Sequence, residues 1–510
     1  MQNGETELSN EDLLDSLDQQ EDDFEDDFFK PLTVAELTEL IETDLKLENP
    51  DVMILGSLYD QRGGARDWDS DFIAAEEDYI RAIELLESIN DDFDRCNQLN
   101  YLQHAYECLG NLYCYTKQNE KADRTYTKGI ECDGHGSVVN LLYKRGVCAL
   151  KEGHFAEALQ DFSAAISKGP NNWKLLMYRG ICYFHLEEFQ NAICDFTEAL
   201  LTESKDLSEL NEFSRKFIQT FSCFSEMEAK HKAEILELRA QCFEQLDRFD
   251  EALADYDQAI SIHPDDGWLY YLRGKCHADK AFSQKHQAEC NHIPVDHAHA
   301  IIEYSQAIED FSRALEFGSD TRYARFLSSA YLSRALAYEK ENQSDLAISD
   351  LCKCLTIDRE TDDVDYTYVY NTCGRLLMEY EAYDKAVLSF NKLILTYSAP
   401  FADNDITLEM ALNMRGIAYC KLGDYDQALA DHYLAIKLAP HSPYGYCSLG
   451  EDYSAMGQYE KAIENYTLAI NIDEPISQNG SYTLSQRSKA YGAIGEEEKA
   501  QEDLKLAQQW

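Results

Sequence analysis

Alanine returns at one fixed place in a recurring pattern: Ala122, Ala158, Ala192, Ala252, Ala307, Ala347, Ala386, Ala428, Ala462 and Ala500. The step is 34 residues from Ala158 to Ala192 and from Ala428 to Ala462, and somewhat longer elsewhere. Twelve residues before nearly every one stands a second small residue: Gly110, Gly146, Gly180, Ala240, Ala335, Gly374, Gly416, Gly450 and Ser488. Ala307 is the exception, with Gly274 lying 33 residues ahead of it. Two small residues twelve apart in a period near 34 describe a helix–turn–helix unit, because helices cross closely only where side chains are small. Units of this kind from about residue 50 onward leave little room for a catalytic domain. The chain reads as a binding surface.

These residues resemble the tetratricopeptide repeat family, whose pattern sets large, small, aromatic, alanine and proline positions at fixed offsets. Segment 139–172 supplies Leu142, Gly146, Gly153, Phe155, Ala158, Phe162, Ala165 and Pro170. Segment 409–442 supplies Gly416, Tyr419, Gly423, Tyr425, Ala428, Ala435 and Pro440, with His432 where an aromatic is usual. Segment 443–476 gives Gly450, Tyr453, Gly457, Tyr459, Ala462, Tyr466 and Ala469, and segments starting at 103, 173, 233, 267, 328, 367 and 481 match less fully. A degenerate eleventh unit is expected over 49–90, with Gly56 and Tyr59 on one helix and Ala75, Tyr79 and Ala82 on the other. The resemblance implies an all-α fold, a right-handed α-solenoid of ten or eleven repeats whose concave face holds an extended peptide or a helix. The expected organisation is an acidic disordered tail over 1–30 and a helical N-terminal region over 31–102. Repeats follow over 103–206, an inserted helix over 207–232, repeats over 233–327 interrupted at 276–299, and repeats again over 328–510.

Composition narrows the function. The formal net charge is −50, and residues 1–30 account for only −11 of it, so the repeats themselves are acidic. Such a surface repels polyphosphate, disfavours DNA and RNA, and favours a basic protein or peptide. The same charge also serves solubility alone. The tail, ending EDDFEDDFF, cannot bury enough apolar surface to fold by itself. It is a plain disordered tail, a short recognition motif, or a pseudo-ligand lying in the protein's own groove. No apolar run approaches 18 residues, which argues against a membrane span, and the start lacks the order of a secretory leader. Cys148, Cys182, Cys242, Cys276 and Cys420 recur near one helix position and read as small buried apolar residues, pointing to a reducing, cytoplasmic setting.

An internal comparison exposes a covarying pair. Seven repeats carry arginine immediately before the small residue of the first helix: Arg145, Arg179, Arg239, Arg273, Arg334, Arg415 and Arg487. Those same seven carry aspartate before the aromatic position of the second helix: Asp161, Asp195, Asp255, Asp310, Asp350, Asp431 and Asp503. The three repeats with Leu109, Cys373 or Leu449 instead have Thr125, Ser389 and Asn465. An Arg–Asp ion pair, within a repeat or between neighbours, accounts for the gain and loss of both members together.

Two interruptions break the period. The first adds 26 residues before the segment at 233, with Phe213, Phe217, Phe221 and Phe224 spaced as on an amphipathic helix, either packed inward or free for docking. The second adds 21 residues between Gly274 and Ala307 and carries Cys276, His277, His286, Cys290, His292, His297 and His299. Imidazole and thiolate donors suit zinc or copper, yet no paired metal-binding spacing is present, so a lengthened hairpin is the simpler reading.

In the resembling family, positions 2, 5, 9 and 12 of the first helix face the groove. That places Asn140, Tyr143, Val147, Lys174, Met177, Ile181 and Phe184 there, with Trp268, Tyr271, Tyr368, Asn371 and Arg375 further along. Positions 5 and 9 never read Lys then Asn, which disfavours the carboxylate clamp of chaperone-binding members. No nucleophile–base pair or phosphate loop stands out, and no catalytic, cofactor-binding or metal-ligating residue is assigned. The expected activity is that of a non-catalytic scaffold for a protein or peptide partner, basic or apolar-anchored, with no cofactor, nucleic acid or membrane partner and with self-association left open. A metal- or pH-responsive regulator using 276–299 is the alternative.

Overall fold

The hairpin that the alanine spacing predicts needs a sharp reversal between its helices, and the chain supplies one by a single device. Each reversal turns on one residue with positive φ: Ser70, Lys117, Gly153, Glu187, Asp247, His292, Asn342, Glu381, Gly423, Gly457 and Gly495. The following N–H reaches back to a carbonyl five residues earlier, as His154 does to Ala149 at 2.8 Å and Gln458 to Tyr453 at 2.7 Å. This satisfies helix-end carbonyls that would otherwise face the turn unpaired.

The computed structural model describes all residues except 1–31, 48–49, 90–94, 133–137, 170–171, 210–221, 319–320, 358–366, 397–407, 473–477 and 509–510. Among the described residues there is no strand. The chain divides into two compact units, Met1–His263 and Pro264–Trp510. In the first, Val34–Asp44 (α1) precedes five helical hairpins. They pair Val52–Trp68 (α2) with Phe72–Glu87 (α3), Arg95–Tyr115 (α4) with Asn119–Glu131 (α5), and Val138–Lys151 (α6) with Phe155–Lys168 (α7). Trp173–His185 (α8) then pairs with Phe189–Glu209 (α9), and Ser222–Gln245 (α10) with Phe249–Ile262 (α11). The second unit opens with Gly267–Cys290 (α12) and His297–Phe317 (α13), then Thr321–Lys340 (α14) and Ser344–Thr356 (α15). It continues with Thr367–Glu379 (α16) and Tyr383–Thr396 (α17), and Leu408–Leu422 (α18) and Tyr425–Leu438 (α19). Pro443–Ala455 (α20) and Tyr459–Ile472 (α21), then Gln478–Ala493 (α22) and Glu497–Ala507 (α23), complete it. Inside each unit the second helix of one hairpin packs on the first helix of the next, so this is an all-α solenoid of repeats.

Glycine sets the crossing inside a hairpin. A Cβ added at Gly146 would lie 2.8 Å from the Phe162 ring, and one at Gly180 would lie 2.7 Å from Phe196. Gly274 faces Phe311 in the same way, and Gly450 faces Tyr466. The rings are fully buried, and Ala158, Ala192 and Ala462 beside them have no exposed surface. The first repeat is regular where a degenerate unit is expected. Gly63 holds the crossing position, twelve residues before Ala75, where an added Cβ would lie 2.8 Å from the Tyr79 ring, whereas one at Gly56 would meet Leu86.

All seven Arg–Asp pairs form, each within its own repeat. Arg145 grips Asp161 through Nε at 2.8 Å and Nη2 at 2.6 Å, and Arg239 grips Asp255 at 2.7 Å through both nitrogens. Arg179, Arg273, Arg334, Arg415 and Arg487 repeat this two-point contact. An eighth pair, Arg62 with Asp78, occupies the first repeat and shares its carboxylate with Arg66. The remaining nitrogen often crosses to the preceding repeat: Arg145 Nη1 donates to Thr127, Arg239 to Thr197, Arg415 to Asn391 and Arg487 to Thr467, at 2.7–3.0 Å. One guanidinium therefore ties three helices together.

The same contacts show what the insertions do. Arg239 reaches Thr197 on α9, so α10 stacks where the next repeat belongs despite 26 additional residues. Arg273 and Asp310 are 37 apart in sequence rather than 16, yet pair at 2.6 Å, because the second insertion only lengthens α12 and α13 beyond the crossing.

Asp255→Ala leaves the Arg239 guanidinium half-buried without its carboxylate, and a loss of about 3 kcal/mol is expected in denaturant unfolding; replacing both residues with leucine costs less than that single change. Two glycines separate sterics from backbone strain. Gly146→Ala drives a methyl into Phe162 and is expected to cost about 1–3 kcal/mol, with Phe162→Leu in the same chain recovering part of it. Gly153→Ala meets nothing within 4 Å but keeps φ at +78°, and loses about 1–2 kcal/mol that Phe162→Leu does not restore.

Candidate partner-binding surface

A residue on the first helix of a repeat can reach a partner only where neighbouring first helices leave it uncovered. The structure sorts the twelve sequence-derived groove positions on that basis. Asn140, Tyr368 and Arg375 are exposed, Tyr368 with 66% of its surface free. Tyr143, Lys174, Trp268 and Asn371 are half-buried. Val147, Met177, Ile181, Phe184 and Tyr271 are buried, and Ile181 retains 1% exposure. The apolar patch expected over residues 143–184 is thus largely interior. Helix α8 packs chiefly on α7 and α9, with lighter contact to α6 and α10, and Phe184 meets Phe189 of α9 edge-on at 5.8 Å.

The polar members are held by neighbours. Asn140 Nδ2 donates to Glu107 on α4, joining equivalent faces of consecutive repeats. Burial pushes the Glu107 carboxyl above its ordinary value, while Lys144 and His104 work against that rise. Tyr143 meets Tyr178 edge-on at 5.5 Å. Trp268 lies 5.1 Å from Tyr271, with the Arg322 guanidinium 5.0 Å above its indole. Trp268, Tyr271 and Arg322 thus pack on one another across α12 and α14.

Two of the five histidines of the second insertion, His277 and His299, gather on one buried carboxylate. Glu303, on α13 and 3% exposed, accepts from His277 Nδ1 at 2.6 Å and Lys280 Nζ at 2.7 Å, with His299 Nε2 3.3 Å away. Cys276 is buried in the core, His286, Cys290 and His292 are exposed, and His297 is half-buried. His286 and Cys290 approach to 3.6 Å, but no third donor joins them among the described residues. Burial alone would raise the Glu303 carboxyl; hydrogen bonds and charge from His277 and Lys280 outweigh it and hold the group at about 2.

Other expectations resolve individually. His432, standing for an aromatic, is fully buried with Nδ1 2.6 Å from Asp452 and Nε2 3.2 Å from the Asn413 carbonyl. Both nitrogens face acceptors, so the ring acts as a polar bridge between repeats where Phe or Tyr would only pack. Cys182, Cys242 and Cys276 are buried free thiols and Cys420 is half-buried, but Cys148, two residues after Gly146, is bonded to Cys114, four residues after Gly110 on the first helix of the preceding repeat. That pairing corrects the reading of Cys148 as a free apolar residue. The acidic tail and Phe213, Phe217 and Phe221 lie outside the described residues. Among the described helices none is long and apolar enough to cross a membrane.

Sequence reasoning missed the eighth clamp, although Arg62, Gly63, Ala75, Asp78 and Tyr79 carry its full spacing. It also missed the hydroxyl and amide acceptors on the preceding helix, which lie one residue after the aromatic in Thr127, Thr197, Asn391 and Thr467.

Models of the tetratricopeptide repeat match residues 143–207, 233–266, 328–361 and 407–474. The comparison with curated proteins finds no match. Among solved structures, the chain is similar to a tetratricopeptide repeat protein from Parabacteroides merdae, at 15% identity over 63% of this chain and 98% of that one, TM-score 0.33. BtubC (BKLC) from P. vanneervenii matches at 17% identity over 42% and 91%, TM-score 0.33. PilW, a type IV pilus biogenesis factor, matches at 19% identity over 45% and 90%, TM-score 0.29.

The Glu303 arrangement predicts a pH response. A carboxyl held below its ordinary value of 4.5 contributes fully above that value and loses its contribution as pH falls toward about 2. Glu303→Gln is expected to cost about 3 kcal/mol at neutral pH and to flatten the loss of melting temperature between pH 5 and pH 2, read by circular dichroism across that range.

Proposed function

Because the chain belongs to the tetratricopeptide repeat family, whose members generally serve as non-catalytic scaffolds for protein partners, we propose that it holds a basic protein segment on the groove side of its repeats, fixed by an apolar or aromatic anchor. The observation that carries this reading is where the charge lies. Eight arginines are spent on buried carboxylates, and each such pair is neutral. The whole excess of −50 therefore belongs to groups outside the clamps, with fewer free cations to offset it locally than the composition suggests. A surface of that kind draws a cationic partner and rejects an anionic one, and it does so most strongly at low salt.

Accessible aromatics supply the anchor. Tyr368 is exposed on α16, beside half-buried Asn371 and exposed Arg375 one and two turns on. Trp268 and the Arg322 guanidinium above it offer a flat face of similar chemistry on α12 and α14. Aromatic residues of this type dominate binding energy where water is excluded around them.

The test uses the full chain and three labelled peptides of equal length: lysine-rich with a central leucine, neutral with the same leucine, and glutamate-rich. The lysine-rich peptide is expected to bind most tightly, to weaken as salt rises, and to lose about tenfold in affinity, near 1.4 kcal/mol, with Tyr368→Ala. Equal binding of all three peptides, or tighter binding of the acidic one, would remove the electrostatic part of the proposal.

A further inference from the structure

The joint between the first and second repeats gathers three metal-binding groups that the repeat pattern does not call for. Asp60 comes from α2 and is 7% exposed, while His104 and Cys108 stand one turn apart on α4. Asp60 Oδ2 lies 2.7 Å from His104 Nδ1, and Cys108 Sγ lies 3.8 Å from the same nitrogen. One donor atom from each residue fits within a 4.8 Å span. Asp60 Oδ1 is buried and has no hydrogen-bond partner. A buried carboxylate oxygen left without a donor costs free energy, and in a folded protein such an atom usually marks a missing water, ion or ligand.

We propose that Asp60, His104 and Cys108 form a site for a divalent transition-metal ion of the zinc type. The donor set chooses the ion: thiolate and imidazole are poor ligands for calcium or magnesium and good ones for zinc. The spacing suits it too, since bonds of about 2.1 Å to nitrogen and about 2.3 Å to sulfur in a tetrahedron place those atoms about 3.6 Å apart. Asp60 Oδ1 becomes the third ligand and exchanges its unpaired state for a metal bond. His104 is 60% exposed along its side chain, so the ion has a path in and a fourth position open to water. Tyr79 is buried beside the site.

Without metal the site is held by the proton. Hydrogen bonds with Asp60 and Cys108 push His104 up to about 11, and burial pushes the Cys108 thiol up. The bound ion ties α2 to α4, two first helices of successive repeats, at a joint that the Arg62 clamp reaches only from the other side of α2 toward α1 and α3. His286 and Cys290 provide an internal control: they are also one turn apart and close, but they are exposed and have no third donor beside them among the described residues.

The test titrates the full chain, freed of metal, with zinc by calorimetry and with cobalt by absorption, where a thiolate ligand gives a charge-transfer band. One ion per chain is expected, with the band present in the unaltered chain and in Cys290→Ser but absent in Cys108→Ser. Cys108→Ser is also expected to weaken zinc by about tenfold or more. Cys108→Ser is a small change at a half-buried position, and its circular dichroism melt confirms that the fold is kept. His104→Gln serves as a second variant with the same expected loss. A band that survives Cys108→Ser, a band that disappears with Cys290→Ser, or the absence of any thiolate band would overturn the assignment.

Discussion

The bidentate grip of one arginine on one aspartate, repeated along the chain, is the contact on which the rest of the structure depends. Each guanidinium sits where the two helices of a hairpin cross, and in most repeats it also reaches the second helix of the repeat before. Packing of apolar faces holds helices together but tolerates sliding. A planar fork with two fixed acceptors and a third across the joint does not, so it sets the register of each repeat against the last. The aspartates are 2–7% exposed, and a partner lost at such a site leaves a buried charge. That explains why the two members are present together or replaced together.

The clamp works because a small residue lies next to it, glycine in five of the eight and Ala240, Ala335 or Ser488 in the others. Gly63, Gly146 and Gly180 let the helices approach until the facing ring touches backbone, and the preceding arginine is then carried to the aspartate beside that ring. Close crossing and ion pair are one local unit, and insertions outside it are tolerated. Twenty-six residues ahead of the repeat at 233 and twenty-one within the hairpin at 267 leave the unit intact, since both additions enter beyond the crossing. Repeat proteins bear such additions because stability is a sum over neighbours, and a loop outside the contacts enters few of those terms.

Acidity and function are connected through the same contact. Clamped arginines are lost to the surface, so the field around the repeats is more uniformly negative than a list of residues implies. Where the chain departs from the pattern it uses polar groups in specific ways. His432 bridges Asp452 and Asn413, and Glu303 collects His277, Lys280 and His299. Both sites convert what looked like anomalies of composition into interior hydrogen bonding.

The repeat unit was legible because its signals are local and periodic. A glycine, an alanine twelve residues on, and an Arg–Asp pair sixteen apart all follow from the geometry of one hairpin, and each recurs often enough to be compared with itself. Even the first repeat carried the full set in Arg62, Gly63, Ala75, Asp78 and Tyr79, and it was obscured only by the competing Gly56. Exposure was not legible. Met177, Ile181 and Phe184 have the right position on their helix for a groove, but they are buried in the structure, and how closely neighbouring helices pack is not encoded in any one of them. Nor could the sequence bring Asp60 to His104 and Cys108, separated by more than forty residues with two helices starting between. The sequence by itself determined the hairpin and its internal clamp, because short-range spacing fixes which side chains share a helix face. Only the tertiary structure decided which faces remain open and which distant donors meet, because both depend on the packing of one repeat against another.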